Sequence, residues 1–283
     1  MGYTGAHALL ASHRGRLPLV TSYYGKDVAM GTSEGGGPTL QYAHYALLRR
    51  RLFAKGDRFL ALSAHMKRAL VGQGCPEHKI RIVRVGVDIQ RFSVHRAPRT
   101  GPCRVLMIGR DVEKKGFDDG MHAVARAKDR GASLTLSILG TSQPSSTQLR
   151  LARDLDLPVR WPDPASDVPS ELARADILLA PSRTTAGGDQ EGTPTVICEA
   201  GAAALPVVST RHAGIPEQID EDVTGLLAPE RDVDRLAAHL ARLCDDVALR
   251  KRMGQAAREK ISAEYSIEAH ADELIKVYAE LLA

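Results

Sequence analysis

The chain lacks the features that would place it in several large protein classes. Its four cysteines, Cys75, Cys103, Cys198 and Cys244, are scattered over 283 residues with no Cys-x-x-Cys spacing. That pattern argues against a zinc ribbon, a redox dithiol motif and a disulfide scaffold. Aromatic residues amount to 4% and no stacking motif accompanies the basic ones, so single-stranded nucleic acid is not an expected partner. No apolar run approaches the roughly 20 residues that a membrane-crossing helix needs, and no signal peptide opens the sequence. What is present is an ordinary globular composition, 43% hydrophobic and 25% charged, too apolar for wholesale disorder. The length is about twice that of a common single domain, so two domains in a cytoplasmic protein are expected.

The formal net charge of +4 hides an asymmetry. Residues 1–100 hold 16 Lys and Arg against 5 Asp and Glu, a net of +11, whereas the remainder holds 22 against 29, a net of −7. Two domains with different partners follow, one partner being anionic. An anionic membrane surface, a nucleic acid and a plain solvated basic face all fit that charge.

Short apolar runs alternate with helical patterns along the whole chain. In the first part, strands are expected at Leu17–Tyr24, Phe59–Leu62 and Ile80–Val87, with helices at Ala6–Ser12, Thr39–Ala54 and Ala64–Gly72. Arg96–Pro102 is polar and rich in Pro and Gly, which marks a linker. Beyond it, strands are expected at Arg104–Ile108, Ser133–Leu139, Asp176–Ala180 and Pro206–Ser209, and helices near Phe117–Asp129, Gln148–Asp154, Pro194–Ala203 and Asp232–Cys244. Strands separated by helices of this length make a parallel, doubly wound sheet. Two amphipathic helices over Val247–Leu282, bending near Tyr265-Ser266, complete the chain. The expected domains are therefore 1–100, 101–262 and a returning helix at 263–283, the first domain beginning mid-rhythm as if its opening strands were missing.

Four segments of the second half converge on phosphate and sugar chemistry. Gly109-Arg110 to Lys115-Gly116 follows a strand and opens a helix, where Arg as a fork and Lys as a point charge would clamp a diphosphate. Glu191-Gly192-Thr193-Pro194-Thr195 runs on to Glu199, with Pro194 suited to the first helical turn. Backbone N–H groups of Gly192, Thr193 and Thr195 would face an anion there, and carboxylates beside it would accept hydrogen bonds from sugar or ribose hydroxyls. Gly187-Gly188-Asp189 supplies a flexible approach. Arg211-His212-Ala213-Gly214-Ile215-Pro216-Glu217 follows a strand and would wall the same cleft, His212 being as readily structural as functional.

Taken in order with Val85-Gly86-Val87-Asp88, Phe92, Pro181-Ser182, Pro206–Thr210 and Gly225-Leu226-Leu227, these segments resemble the family four glycosyltransferases, retaining enzymes of the two-domain GT-B fold. The stretch Gly188–Pro194 is most similar to members acting in bacterial exopolysaccharide assembly, of the colanic acid and amylovoran type. The resemblance implies an α/β fold of two Rossmann-like domains, the first truncated. It implies a UDP- or GDP-sugar donor held without cofactor or metal, and a glycan or lipid-linked acceptor met at the inner face of the cell membrane. Arg110, Lys115 and Glu191 would act at the reacting centre. Gly109, Gly192, Thr193, Pro194, Thr195 and Glu199 would bind the donor, Glu199 at its ribose and Glu191 at its sugar. Charge separates as the leaving phosphate departs, so fixed cations and N–H groups aimed at it lower the barrier.

The sequence departs from the family at Tyr24, which stands before Gly25 where a His is common. A phenol donates a hydrogen bond but is a poor base at neutral pH. Tyr24, Gly25 and Asp27 remain expected on the donor or acceptor side. Gly140-Thr141-Ser142 replaces the usual Gly-x-Gly and leaves the base open between uracil and guanine. The other readings are a nucleotide-sugar-binding remnant without turnover and, more distantly, a sugar-nucleotide epimerase.

Overall fold

Short runs of Val, Leu and Ile alternate with longer amphipathic stretches, and most become the element their period dictates. In the computed structural model, described over residues 2–15, 17–25, 40–94 and 100–282, the order is α1 (Gly2–Gly15), β1 (Val20–Ser22), α2 (Leu40–Lys55), β2 (Arg58–Ala61), α3 (Ala64–Gly72) and β3 (Ile80–Ile82). There follow β4 (Cys103–Ile108), α4 (Phe117–Asp129), β5 (Leu134–Leu139), α5 (Ser146–Asp154), β6 (Val159–Arg160), α6 (Val168–Arg174) and β7 (Ile177–Ala180). The remainder is α7 (Thr195–Ala202), β8 (Val207–Thr210), α8 (Ile215–Gln218), β9 (Gly225–Ala228), α9 (Val233–Asp245), α10 (Val247–Glu264) and α11 (Ile267–Leu282).

Contacts divide the chain into two units. Unit 1 comprises Met1–Gly86, Thr184–Thr193 and Ile267–Ala283, and unit 2 comprises Val87–Arg183 and Pro194–Ser266. The partition falls after Gly86, where the sequence placed it after residue 100, and it moves a ten-residue stretch of the second half into the first unit. Residues 96–99 of the expected linker, and Asp27, lie outside the described residues.

Unit 2 holds six parallel strands in the order β6-β5-β4-β7-β8-β9. Numbered within the unit this is 3-2-1-4-5-6, the arrangement in which the chain winds outward from β4, returns, and winds outward again on the other side. The middle strands are buried on both faces, so they read as continuous apolar runs rather than alternations: Val105, Leu106, Met107, Ile177, Leu178 and Leu179 are all buried. Helix α9 lays Leu236, Ala237, Leu240 and Leu243 against that core, all of them fully buried. Their spacing of one, four and seven is one face of a helix, and each leucine contributes about 1.5–3 kcal/mol of burial. Capping is written into the sequence. Ser145 and Gln148 form a reciprocal capping box on α5, and Asp167, Asp232 and Asp246 accept from the third backbone N–H of α6, α9 and α10. These side chains satisfy donors that the first helical turn leaves without partners.

At the amino end of the sheet, Asp176 binds the Arg104 guanidinium with both carboxylate oxygens, at 2.9 and 2.8 Å, and the Arg104 amide at 2.9 Å. Burial would raise this carboxyl, but the side-chain and backbone hydrogen bonds and the charge of Arg104 hold it below its ordinary value. The pair fixes β4 beside β7, the neighbours on which the strand order turns.

Unit 1 has three parallel strands among the described residues, in the order β1-β2-β3. Its core is aromatic: Phe53 meets Phe59 edge-on with ring centres 5.3 Å apart, and the Tyr23 and Tyr45 hydroxyls satisfy each other at 3.0 Å. Ser63 caps α3 by accepting from the Met66 amide at 3.1 Å. Helix α11 contributes Val277, with Leu274 and Leu281, to a cluster around Leu60 and Val83. Glu280 ties the same helix to Arg81 at 2.9 Å.

Most expected elements lie within one to three residues of their observed positions. Four were not anticipated. Strand β6 has two residues and α8 four, too short to show a period. Helix α6 has seven and is announced mainly by its Asp167 cap. Strand β9 opens on Gly225, which leaves only the three-residue apolar run Leu226–Ala228 to read.

Candidate functional site

In a doubly wound sheet, ligands bind beyond the carboxyl ends of the strands at the point where the winding reverses. In unit 2 that point lies between β4 and β7, so the loops after Ile108 and Ala180 are the ones to examine. Gly109 leaves β4 with the Lys115 side chain over it. A Cβ on Gly109 would sit 3.2 Å from Lys115 Cε and 3.4 Å from Cδ. Arg110 is exposed on the same loop. A single turn of 3-10 helix over Glu113–Lys115 turns Lys114 inward, where it is buried, and leaves Lys115 half-buried. Gly116 then adopts the left-handed conformation, φ 62° and ψ 32°, and hands the chain to α4.

The β7 loop closes on this turn. A Cβ on Gly116 would lie 2.0 Å from the Pro181 carbonyl oxygen, so no other residue fits. The Arg183 amide donates to the Lys114 carbonyl at 2.9 Å. Its guanidinium, almost wholly buried, binds Asp118 at 3.0 Å and Asp119 at 2.7 Å in the first turn of α4. The Ser209 hydroxyl donates to the Ala180 carbonyl at 2.6 Å, and the Thr210 hydroxyl to that of Ser182. Both loops at the switch point are thereby held by buried charge and hydrogen bonds rather than left to move.

Helix α7 brings the second expected carboxylate to unit 2. Pro194 stands at its N-cap, its carbonyl taken by the Gln218 amide at 3.0 Å. Thr195 is exposed at the first helical position, and Glu199 follows one turn later. Burial pushes the Glu199 carboxyl above its ordinary range, against the Thr195 hydroxyl that hydrogen-bonds it and the charges of Arg91 and Lys115, which favour the ionised form. Gly109, Lys115, Thr195 and Glu199 thus belong to one charged neighbourhood of unit 2. Sequence analysis missed Arg91 as a member of it. Its only signal was a cation beside Phe92, after the Gly86-Val87-Asp88 turn.

The rest of the expected site belongs to unit 1. The segment 184–193 is closed on itself: the Asp189 amide donates to the Thr185 hydroxyl at 2.9 Å and the Thr185 amide to the Asp189 carbonyl at 3.0 Å. Gly192 packs closely enough that a Cβ would meet the Tyr24 carbonyl oxygen at 3.0 Å, Met66 Cε at 3.2 Å and Gly25 Cα at 3.3 Å. Glu191, Gly192 and Gly25 line a cavity of about 50 Å³ together with His65, Met66, Ala69 and Gln190. Tyr24 itself is exposed, and Thr193 is buried. Glu191 precedes the helix and Glu199 lies inside it, as the expected helix start at Pro194 implied.

His212, expected in a cleft wall, is fully buried with Nδ1 2.6 Å from Glu230 Oε1, which gives it a packing role. Among the described residues no group of three or more His, Cys, Asp or Glu side chains is arranged to hold a metal ion. Of three Asp-x-Asp tripeptides, that at 220–222 is spent on Lys260 and Arg242, Asp232 and Asp234 serve the α9 cap and Arg126 and Arg130, and Asp154 and Asp156 are exposed at the end of α5.

A carboxyl raised by burial costs stability wherever it is ionised, that is, above its raised folded value, and costs nothing below the ordinary 4.5. Glu199→Gln removes that cost. Thermal unfolding of the ligand-free chain should show the variant melting above the wild type at pH 7, with the gap closing towards pH 4. An equal or lower melting temperature at pH 7 would contradict the burial argument.

Residues 102–246 match the family model described as "Glycosyl transferases group 1", and residues 1–91 match "Glycosyltransferase Family 4". The chain is 37% identical over 222 residues to the amylovoran biosynthesis glycosyltransferase AmsK of Erwinia amylovora, covering 76% of this chain and 54% of AmsK. It is 37% identical over 231 residues to the putative colanic acid biosynthesis glycosyltransferase WcaL of Escherichia coli, covering 79% of this chain and 56% of WcaL. The chain therefore spans about half the length of the curated relatives it matches. Among solved structures, Anabaena Alr3699/HepE in complex with UDP superposes with a TM-score of 0.82 at 16% identity, over 99% of this chain and 77% of that one. That likeness, with the parallel α/β units described above, gives the chain the GT-B fold. By family model, by relatives and by the order of its motifs, the chain belongs to the family 4 glycosyltransferases.

Proposed function

We propose that the chain is a retaining, metal-independent glycosyltransferase that moves a hexosyl group from a nucleoside-diphosphate sugar to a growing polysaccharide or lipid-linked glycan. The observation that carries this reading is Glu199, held half-buried within the influence of Lys115 and Arg91 at the switch point of a 3-2-1-4-5-6 sheet. Keeping an acid there costs stability, and the hydrogen bonds it makes to ribose hydroxyls give the cost a function. Lys115 and Arg110 hold the diphosphate and stabilise the negative charge that develops as the sugar–phosphate bond breaks. Glu191 meets the donor sugar, and the N–H groups of Gly192, Thr193 and Thr195 meet sugar and phosphate. The acceptor hydroxyl takes the place of the phosphate oxygen on the same face of the sugar. Charge on the leaving group is met by cations of the chain, so no resident metal or cofactor is assigned. Solved complexes of Alr3699/HepE with UDP and UDP-glucose, and the names of AmsK and WcaL, support a nucleotide-sugar donor and an exopolysaccharide product.

Calorimetric titration with UDP and GDP in the presence of a chelator should give binding of one of them. Lys115→Ala and Glu199→Ala should each weaken it about 10- to 100-fold, the effect of losing a charged hydrogen bond of roughly 1.5–3 kcal/mol. Binding of neither nucleotide, or variants indistinguishable from wild type, would overturn the assignment.

A lipid-linked acceptor sits at an anionic membrane surface, and the proposal extends to peripheral attachment there. Arg50, Arg51 and Arg68 are exposed on unit 1, and each such cation near an anionic surface contributes about 1 kcal/mol. No described helix is long and apolar enough to cross a membrane. In sedimentation with vesicles, the chain should follow those containing an anionic lipid and release at high salt. Equal recovery with neutral and anionic vesicles would count against attachment.

A further inference from the structure

One histidine that no motif draws attention to has a place in the proposed chemistry. His65 is the second residue of α3, behind the Ser63 cap, and it is half-buried. Its Nε2 lies 3.2 Å from Gln190 Oε1, a partner 125 residues away in sequence and immediately before Glu191. The other end of that amide is also committed, since Gln190 Nε2 donates to the Thr184 hydroxyl at 3.2 Å. An amide whose NH2 is donating presents its oxygen as the acceptor, so in this arrangement His65 donates through Nε2.

The bond ties the segment before Glu191 to helix α3. Thr185 and Asp189 close the loop at 185–189 by mutual hydrogen bonds, but Gln190 to Thr193 extend beyond that closure. There Gly192 is pressed against Gly25, Met66 and the Tyr24 carbonyl, contacts that fix its distance from β1 and α3 without fixing the rotation of the backbone. The His65–Gln190 bond is directional, and it acts one residue from the Glu191 carboxylate. The cavity these residues share, floored by Met66 and Ala69, is about 50 Å³, room for ordered water at most. Truncating His65 would open it and let the segment turn.

We infer that His65 is a positioning residue: by donating to Gln190 it sets the orientation of Glu191 and Gly192, and so acts on sugar transfer without touching nucleotide. The inference rests on the proposed role of Glu191. It also explains how a chain with Tyr24 in the histidine position keeps an imidazole beside this segment, reached from α3 instead of from the β1 loop.

The test compares His65→Ala, His65→Gln, Gln190→Ala and the double variant His65→Ala/Gln190→Ala. His65→Ala and Gln190→Ala should each lower kcat for transfer about 5- to 10-fold, the effect of one lost hydrogen bond. Nucleoside-diphosphate Kd should stay within twofold. The double variant should be no worse than either single one, and His65→Gln, whose amide can donate to Gln190 Oε1, should recover most of the loss. In hydrogen exchange of the ligand-free chain, amides of residues 190–193 should lose protection in His65→Ala and Gln190→Ala and keep it in His65→Gln. Unchanged exchange in His65→Ala, or additive losses in the double variant, would overturn the inference. If the wild type transfers no sugar from any donor, the proposed function fails while the exchange result still decides whether His65 orders this segment.

Discussion

The β4 loop of unit 2, which carries Arg110 and Lys115, depends on being held edge to edge with the β7 loop. Gly116 takes a left-handed turn because the Pro181 carbonyl leaves no space for a Cβ, and Arg183 crosses from the β7 loop to the acids that open α4. The β4 loop therefore cannot swing away from the sheet. Lys115, one residue before that turn, is delivered over Gly109 by backbone geometry. A lysine has four rotatable bonds, and positioning its stem against a glycine removes part of the entropy that ordering it on ligand would otherwise cost. The strand order beneath, with β4 next to β7, is fixed at the opposite end of the sheet by the Arg104–Asp176 pair.

Against this rigid frame stands one group in an unfavourable setting. Glu199 is partly desolvated, and the charges of Arg91 and Lys115 do not fully compensate. Natural proteins keep groups of this kind where function needs them. In the proposed function a ribose with two hydroxyl donors would replace the water the carboxylate has lost, so the cost of burying Glu199 would return as affinity for nucleotide. Glu191 is held by other means, through a glycine pressed between Gly25 and Met66 and a side-chain bond from α3.

The sequence made some of this legible and hid the rest for identifiable reasons. Central strands declare themselves because burial on both faces demands unbroken apolar runs, as in Val105–Met107 and Ile177–Leu179. Helix caps were less legible: Asp232 and Asp246 stand where helices were expected to begin, whereas α5, capped by Ser145, was expected only from Gln148, and α6, capped by Asp167, was not expected. Gly109, Lys115 and Gly116 were readable because a strand, a loop and a helix must meet there. Partners separated by long stretches of chain were not. The expected helix at Pro194–Ala203 already held Glu199 and left Glu191 before it, but nothing local shows that Glu191 sits in a segment packed with β1 and α3. No local pattern ties His65 to Gln190, or Arg91 to Glu199. The boundary at Gly86 was hidden for a related reason: Pro and Gly in Arg96–Pro102 signal an irregular path, whereas the division follows packing, and Val87 already donates to the Tyr265 carbonyl of unit 2 at 2.8 Å.

The account stands on the claim that the β4–β7 switch point is where a nucleoside diphosphate binds. A crystal structure of the chain grown with saturating UDP or GDP tests it without requiring an acceptor or turnover. The account predicts diphosphate oxygens within hydrogen-bond distance of Lys115 Nζ or the Arg110 guanidinium, and ribose hydroxyls on the Glu199 carboxylate. Nucleotide bound anywhere else, with Lys115 and Glu199 left in solvent, would contradict it.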